Sequence, residues 1–171
     1  ASSNCTESGF TARTRSAAAS TDNYWSLVAP YATGTSIIRV ESYISGNYNG
    51  PTGAGSYPLG GNYSSCSLCV LIGSGCQGGA NCTKTFYADS GTLDITAITL
   101  SENGTVAVEL KDVVLTEVTI AENTFESTPV PNGATWCIGS TTASGTFTDP
   151  DAPNTTGATA PDVAELTCVA A

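Results

Sequence analysis

Seven cysteines in a chain of 171 residues constrain this fold more than any other feature. The chain has no histidine and only five basic residues, so most catalytic and metal-binding arrangements lack a side chain that they need. Cysteines at this density in a small acidic protein are typical of oxidising compartments. We therefore predict an extracellular or cell-surface protein that is stabilised by disulfide bonds among Cys5, Cys66, Cys69, Cys76, Cys82, Cys137 and Cys168.

The spacing of the cysteines leaves their pairing open. Cys66 and Cys69 have the C-x2-C spacing of a zinc knuckle, but a second such pair is missing, so disulfides are favoured over a structural zinc. Cys5 and Cys168 lie near the two ends of the chain. Because seven is an odd number, one cysteine is either free and buried or bonded to a second chain.

The net charge of −10 restricts the partners of the chain. Nucleic acids and anionic membrane surfaces would be repelled, and no apolar run is long enough to insert across a bilayer. Further copies of the chain, neutral glycans and surface proteins remain as partners. The chain begins Ala1-Ser2-Ser3, which we interpret as the start of a processed product.

Short runs of β-branched and aromatic residues, separated by Gly, Asn, Pro and Asp, predict an all-β fold. Their number and spacing favour a disulfide-stapled antiparallel β-sandwich of jelly-roll type. Ala17-Ala18-Ala19 is the only run that favours a helix, and it is too short to form one. The predicted strands are Tyr24–Val28, Ser36–Ile44, Ser67–Ile72, Thr83–Ala88, Gly91–Leu100, Thr105–Lys111, Val113–Ile120, Ala134–Ile138 and Gly145–Thr148.

The segment Gly91–Ile120 predicts a three-stranded antiparallel meander. Asn103-Gly104 is a strong hairpin signal, and Lys111-Asp112 predicts the second turn. A change in apolar parity after Ala97 predicts a β-bulge. One face of the middle strand is apolar, which predicts a buried face made by Val106, Val108 and Leu110.

We divide the chain into three parts. Residues 1–22 form an N-terminal arm, residues 23–148 form the β-sandwich domain, and residues 149–171 form a Ser/Thr/Pro-rich tail with a last strand over Val163–Val169. Both ends are expected to lie outside the central sheet, and an arm of this kind can complete the open sheet edge of a neighbouring copy. The alternative is that both arms fold back on their own domain and are held there by Cys5 and Cys168.

No set of residues in the chain defines a reaction. A Ser or Cys nucleophile lacks its usual histidine base, and the 15 acidic residues form no distinctive local motif. We predict that the protein is not an enzyme and uses no cofactor. The one candidate metal site is a loop with oxygen ligands for calcium, made by Asp149, Asp151 and Asn154.

Four tyrosines surround the Gly/Tyr/Pro-rich segment 45–62, which predicts a long loop. Exposed rings there can stack on a glycan or contact a surface protein, whereas the alternative is that they pack the loop down. The candidate ligand contacts are Tyr43, Tyr48, Tyr57 and Tyr63.

Five Asn-x-Ser/Thr sequences fall in predicted turns or near the ends of the chain, where a glycan would not disturb the core. The protein is therefore a candidate glycoprotein, with acceptor residues at Asn4, Asn62, Asn81, Asn103 and Asn154.

The stretch Tyr63–Cys137 carries a recognisable pattern. Its marks include Ser65-Cys66-x2-Cys69, Gly75-Cys76, Cys82-Thr83-Lys84 and Ser127-Thr128-Pro129-Val130-Pro131-x3-Thr135-Trp136-Cys137. The pattern resembles uncharacterised secreted or lipid-anchored proteins of myxobacteria and their relatives. The resemblance implies a bacterial envelope or extracellular setting and brings no catalytic residues. The start of the chain departs from a lipoprotein, in which the first mature residue is the lipidated cysteine.

These observations lead to one expectation and two alternatives. We expect a non-enzymatic secreted structural protein, a subunit of an extracellular fibre or coat that is joined by strand exchange of a terminal arm. The first alternative is a monomeric extracellular module that binds a carbohydrate or a protein. The second is a hydrolase that uses carboxylates.

Overall fold

The computed structural model describes residues 5–13, 16–77 and 81–148 and contains no helix within them. No membrane-spanning helix is therefore present in these ranges. The all-β prediction is confirmed. The described ranges contain ten strands: β1 Glu7–Ser8, β2 Ser16–Ser20, β3 Tyr24–Pro30, β4 Ile37–Tyr43, β5 Gly55–Pro58, β6 Leu68–Ser74, β7 Lys84–Ile98, β8 Thr105–Ile120, β9 Ser127–Pro129 and β10 Thr135–Thr148.

All ten strands belong to one hydrogen-bonded sheet. Neighbours follow the order β2-β3-β4-β6-β7-β8, and β10 pairs with both β8 and β2, so the strands close a circuit. Most pairings are antiparallel, as predicted, but β10 runs parallel to β1 and β2. The circuit therefore closes through the pairing of the N-terminal strand β2 with β10.

The two longest strands, β7 and β8, form a single hairpin, and this corrects the predicted meander. The chain turns at Asn103, and the register shifts between Ile95 and Ala97, where the bulge was predicted. It does not turn at Asp112, because β8 continues through that residue. Asp112 (φ 50°) and Gly91 (φ 111°) adopt left-handed conformations on the paired strands, which bends the hairpin instead of reversing the chain.

Close packing at this bend requires the glycine. A Cβ atom on Gly91 would lie 2.6 Å from the Cα atom of Val113, so no larger residue fits without moving the backbone. The predicted break in the third long strand is also absent, because residues 135–138 and Gly145–Thr148 are both parts of β10.

The main apolar core fills the space enclosed by the circuit. Val106, Val108 and Leu110 are at most 2% exposed, which confirms the predicted buried face of β8. Trp25 is fully buried and donates its indole N–H to the carbonyl of Pro51 at 2.8 Å. A second, smaller cluster lies on the other face of β4, β6 and β7, and is made by Cys66, Cys69, Leu71, Tyr87 and Val118 with Tyr43, Tyr63 and Ile120.

The described residues of the N-terminal arm lie in the sheet of their own chain, which corrects the expectation that the arm lies outside and agrees with the alternative that it folds back. Phe10 is 3% exposed, and its ring centre lies 4.6 Å from that of Tyr31. Ala18 is 2% exposed in the middle of β2. The helix-favouring run Ala17-Ala18-Ala19 lies in a strand, because β3 and β10 offer backbone partners on both of its sides.

Candidate functional site

The six described cysteines form three disulfide bonds, Cys5–Cys137, Cys66–Cys69 and Cys76–Cys82. The predicted disulfide-stapled fold is confirmed. The C-x2-C cysteines pair with each other and are not zinc ligands. Within the described ranges, no group of three or more Cys, Asp or Glu residues is placed to hold a metal ion. Cys168 lies outside these ranges, as do Asp149, Asp151 and Asn154 of the calcium candidate.

A buried carboxylate is the most unusual polar feature of the described chain. Glu41 is 3% exposed and lies on the face of β4 that is opposite to the main core. Tyr43 and Tyr63 both donate their hydroxyl groups to this carboxylate, the latter at 3.0 Å. The Nε atom of Arg39 lies 3.5 Å from its Oε1 atom. A buried charge needs such partners, so these side chains form one polar unit, which we call the tyrosine–glutamate cluster.

Strand geometry explains why these side chains meet. Alternate residues of β4 point to the same face, which brings Arg39, Glu41 and Tyr43 together. Glu41 is directly opposite Cys69 in the pairing of β4 with β6. The Cys66–Cys69 bond ties the preceding loop to β6, and this loop supplies Tyr63.

The same loop is attached to β9 through Asn62. Its Nδ2 atom donates to the carbonyl of Ser127 at 2.9 Å, and its Oδ1 atom accepts from the amide of Ser127 at 3.0 Å. The amide nitrogen that would carry a glycan is therefore engaged inside the protein. Glycosylation at Asn62 stays a prediction.

The other glycosylation candidates stay predictions. Asn81 (φ 52°) and Asn103 (φ 63°) are exposed in turns, where a glycan could be carried. Asn4 and Asn154 lie outside the described residues.

Three of the four predicted tyrosines come together, and one does not. Tyr48 is 46% exposed, and its ring centre lies 5.9 Å from that of Tyr43, which in turn contacts Tyr63. Tyr57 lies on β5, paired with β7, and its hydroxyl group donates to the carbonyl of Gly53 at 2.9 Å. Tyr24 was not among the predicted ligand contacts, although its ring centre lies 6.2 Å from that of Tyr43. Tyr24, Tyr43 and Tyr48 thus form a row of aromatic rings.

Glu41 was missed although the sequence carries a signal for it. Alternation in β4 places Ile38 and Val40 in the main core and Glu41 on the other face. This pattern predicts the side of the sheet on which Glu41 lies. It does not predict that a distant loop covers that side, which is what buries the carboxylate.

Burial controls the protonation of the tyrosines. It raises the pKa of the Tyr43 hydroxyl, and the hydrogen bond to Glu41 raises it further. Burial followed by the charge of Glu41 raises the pKa of Tyr63. Burial and the nearby Asp89 raise the pKa of Tyr87 to about 12. The phenols of the cluster are therefore protonated, and Glu41 accepts a hydrogen bond from each of its two tyrosines.

No family model matches the chain, and no similar protein was found among curated proteins or among solved structures. The resemblance to secreted myxobacterial proteins stays a prediction.

Proposed function

We propose that this chain is a non-enzymatic structural or surface protein that assembles by exchange of its N-terminal strands. The three disulfide bonds support an oxidising compartment outside the cytoplasm, and an extracellular or cell-surface location is part of the proposal. The observation that carries the proposal is the position of β2, because a terminal segment fills the gap between two other strands.

This gap has two hydrogen-bonding edges. On one side, residues 16–19 of β2 pair in parallel with residues 145–148 of β10. On the other side, residues 17–20 pair antiparallel with residues 25–28 of β3. Without β2, both edges would be open, and open edges recruit strands from other chains. The segment that fills the gap can come from the same chain or from a neighbour, since the contacts are identical.

Packing in the gap is specific for small residues. A Cβ atom on Gly145 would lie 2.9 Å from the carbonyl oxygen of Ser16 and 2.8 Å from a methyl carbon of Leu27. The glycine allows β2 to approach β10 closely, and the alanines at 17–19 fit beside it. The gap is therefore shaped for this N-terminal segment, whichever chain supplies it.

The connection between β2 and β3 is the hinge that exchange requires. It consists of residues 21–23 and is closed by a hydrogen bond from the amide of Thr21 to the carbonyl of Tyr24 at 2.8 Å. The side chain of Thr21 also accepts a hydrogen bond from the amide of Asn23 at 3.1 Å. Opening this turn loses a few local hydrogen bonds, whereas every contact of β2 is formed again in the neighbouring copy.

Several of the described carboxylates are paired with other side chains, and this pairing supports the non-enzymatic part of the proposal. Asp94 pairs with Lys111 at 2.7 Å, Glu117 with Lys84 at 3.6 Å, and Glu41 with its two tyrosines. Each of these acids has a structural role in joining strands or loops.

The Cys5–Cys137 bond provides a test, because exchange of the N-terminal segment would make it a bond between chains. We expect covalent oligomers of a Cys168→Ser variant on non-reducing gels, and monomers after reduction. The Cys168→Ser background removes the other source of interchain bonds. Adding Cys5→Ser should remove the oligomers, whereas adding Cys76→Ser and Cys82→Ser should keep them. Monomer bands alone, with a monomer mass in solution at high concentration, would contradict the proposal.

A second function, a monomeric binding module, is favoured by the row of aromatic rings formed by Tyr24, Tyr43 and Tyr48. Such a row can stack on the apolar face of a neutral sugar. Calorimetric titration with neutral oligosaccharides tests it. Binding that is lost in Tyr48→Ala but kept in Tyr57→Ala would support this function, and no binding by the wild-type protein would reject it.

A further inference from the structure

A connected set of tyrosines leads from the surface to the buried face of the sheet. Tyr48 is exposed, and its ring centre lies 5.9 Å from that of Tyr43. The hydroxyl oxygens of Tyr43 and Tyr63 are 3.4 Å apart, and the rings of Tyr63 and Tyr87 are 6.1 Å apart. Tyr87 is 2% exposed. Rings with centres at these separations pack against each other. One-electron transfer between side chains in contact needs no intervening group.

A proton acceptor lies at the middle of this set. A phenol that loses an electron becomes strongly acidic and must also release its proton. The hydroxyl group of Tyr43 donates to Glu41, so the carboxylate can take that proton along an existing hydrogen bond. The raised pKa of Tyr43, caused by burial and by Glu41, keeps this hydroxyl protonated at neutral pH. The partner of Tyr57 is a backbone carbonyl, which is a far weaker base.

We propose that the tyrosine–glutamate cluster is an oxidative modification site, at which a one-electron oxidant generates a tyrosyl radical and Tyr48 bonds covalently to Tyr48 of a second copy. Tyr48 is the residue that reacts with the second copy because it is exposed, whereas the other six tyrosines, all of which the structure describes, are half-buried or buried. The inference requires only that two copies meet, and it does not depend on strand exchange.

Tyr43 gives one electron to the oxidant and its hydroxyl proton to Glu41. Tyr48 then reduces the Tyr43 radical, which recovers its proton from Glu41, while Tyr48 releases its own proton to water. Two Tyr48 radicals join through a new carbon–carbon bond between ring positions ortho to oxygen. The two ortho hydrogens move to the oxygens, so each copy has lost one electron and one proton.

Photo-oxidation with a ruthenium tris-bipyridyl complex and persulfate tests this inference. The covalent dimer is quantified on reducing gels, by the fluorescence of the tyrosine–tyrosine product and by peptide mapping. We expect the wild-type protein to form a dimer joined at Tyr48. Tyr48→Phe should lose most of the dimer, and the matched control Tyr57→Phe should keep it. A dimer that forms at the wild-type rate in Tyr48→Phe, or that is lost equally in Tyr57→Phe, would overturn the site.

The role of Tyr43 is tested separately. Tyr43→Phe should slow dimer formation severalfold while Tyr48 remains the residue that is joined, and Tyr63→Phe, which removes a donor to the same carboxylate, should slow it less. Thermal unfolding of each variant shows whether it is folded at the temperature of the assay. A folded Tyr43→Phe variant that forms the dimer at the wild-type rate would show that Tyr48 is oxidised directly and would overturn the transfer step.

Discussion

The N-terminal seam and the tyrosine–glutamate cluster stabilise the same sheet through different kinds of interaction. The seam, residues 5–13 and 16–20 with their partners in β3 and β10, is held by backbone hydrogen bonds, apolar side chains and a disulfide between residues 132 apart in sequence. The cluster is held by polar contacts to a buried carboxylate and by a disulfide between residues three apart. Stability of the whole fold therefore depends on the seam, whereas the cluster fixes one loop.

Loop length makes this difference quantitative. In the chain-entropy description, a disulfide stabilises a protein by restricting its unfolded chain, and the effect grows with the length of the closed loop. It amounts to about 5 kcal/mol for a loop as long as that of Cys5–Cys137 and about 2 kcal/mol for one as short as that of Cys66–Cys69. The short bond at the cluster thus contributes mainly by holding the loop that carries Tyr63 against Glu41.

The largest expected effect is the loss of the seam, because the described comparison fails if the monomer folds without it. Deleting residues 1–20 removes Phe10 and Ala18 from the core and opens the edges of β3 and β10. We expect loss of the folded monomer by circular dichroism and size-exclusion chromatography. Adding residues 1–20 as a separate peptide should restore folding if the gap accepts a segment from outside. A deletion variant that stays monomeric, with an unchanged melting temperature, would contradict the role of the seam.

Removing each disulfide separately sharpens the comparison. The double variant Cys5→Ser/Cys137→Ser should lower the free energy of unfolding by about 3–5 kcal/mol, and Cys66→Ser/Cys69→Ser by about 2 kcal/mol. Denaturant titration measures both. Equal losses, or a larger loss at the cluster, would show that loop length does not govern these bonds.

Loss of one donor to the buried carboxylate tests the polar side of the comparison. Tyr43→Phe leaves Glu41 with fewer hydrogen bonds in a buried position, and we expect a loss of about 1.5–3 kcal/mol. Tyr48→Phe is the matched control, because this hydroxyl lies at the surface and should matter little. If both variants unfold at the same denaturant concentration, the carboxylate is not held as described.

Alkaline pH should affect the cluster rather than the seam. The pKa of Tyr87 rises from its ordinary value of 10.0 to about 12, and those of Tyr43 and Tyr63 rise as well. A raised folded-state pKa gives stability that is fully present below pH 10 and is lost as the pH rises through the folded-state value. We expect stability to fall above pH 10, and to fall less steeply in a Tyr43→Phe/Tyr63→Phe variant. A flat profile up to pH 12 would contradict this.

Local features of this fold were predictable from sequence, and its closure was not. Alternation in β8 identified Val106, Val108 and Leu110 as a buried face, and Asn103-Gly104 identified the hairpin. The residues Lys111-Asp112 predict a turn, whereas Asp112 bends a strand that stays paired. A left-handed residue can produce either result, and the sequence does not show which one applies. The parallel pairing of β2 with β10 joins segments more than a hundred residues apart and has no local signature.

The candidate site was predictable only in part. The sequence shows that tyrosines are grouped around residues 45–62, but their arrangement depends on the loop that Asn62 and the Cys66–Cys69 bond attach to the sheet. Disulfide connectivity likewise follows from tertiary contacts and not from cysteine spacing.

Isotope mixing at the Cys5–Cys137 bond tests strand exchange most directly. Equal amounts of ¹⁵N-labelled and unlabelled chains, both carrying Cys168→Ser, are unfolded and reduced, refolded together under oxidising conditions, and digested without reduction. The disulfide-linked peptides are then weighed by mass spectrometry. Exchange predicts a Cys5–Cys137 peptide with one labelled and one unlabelled half, whereas the Cys76–Cys82 peptide contains halves of one kind only. A Cys5–Cys137 peptide whose halves always carry the same isotope would contradict the exchange of N-terminal strands between copies.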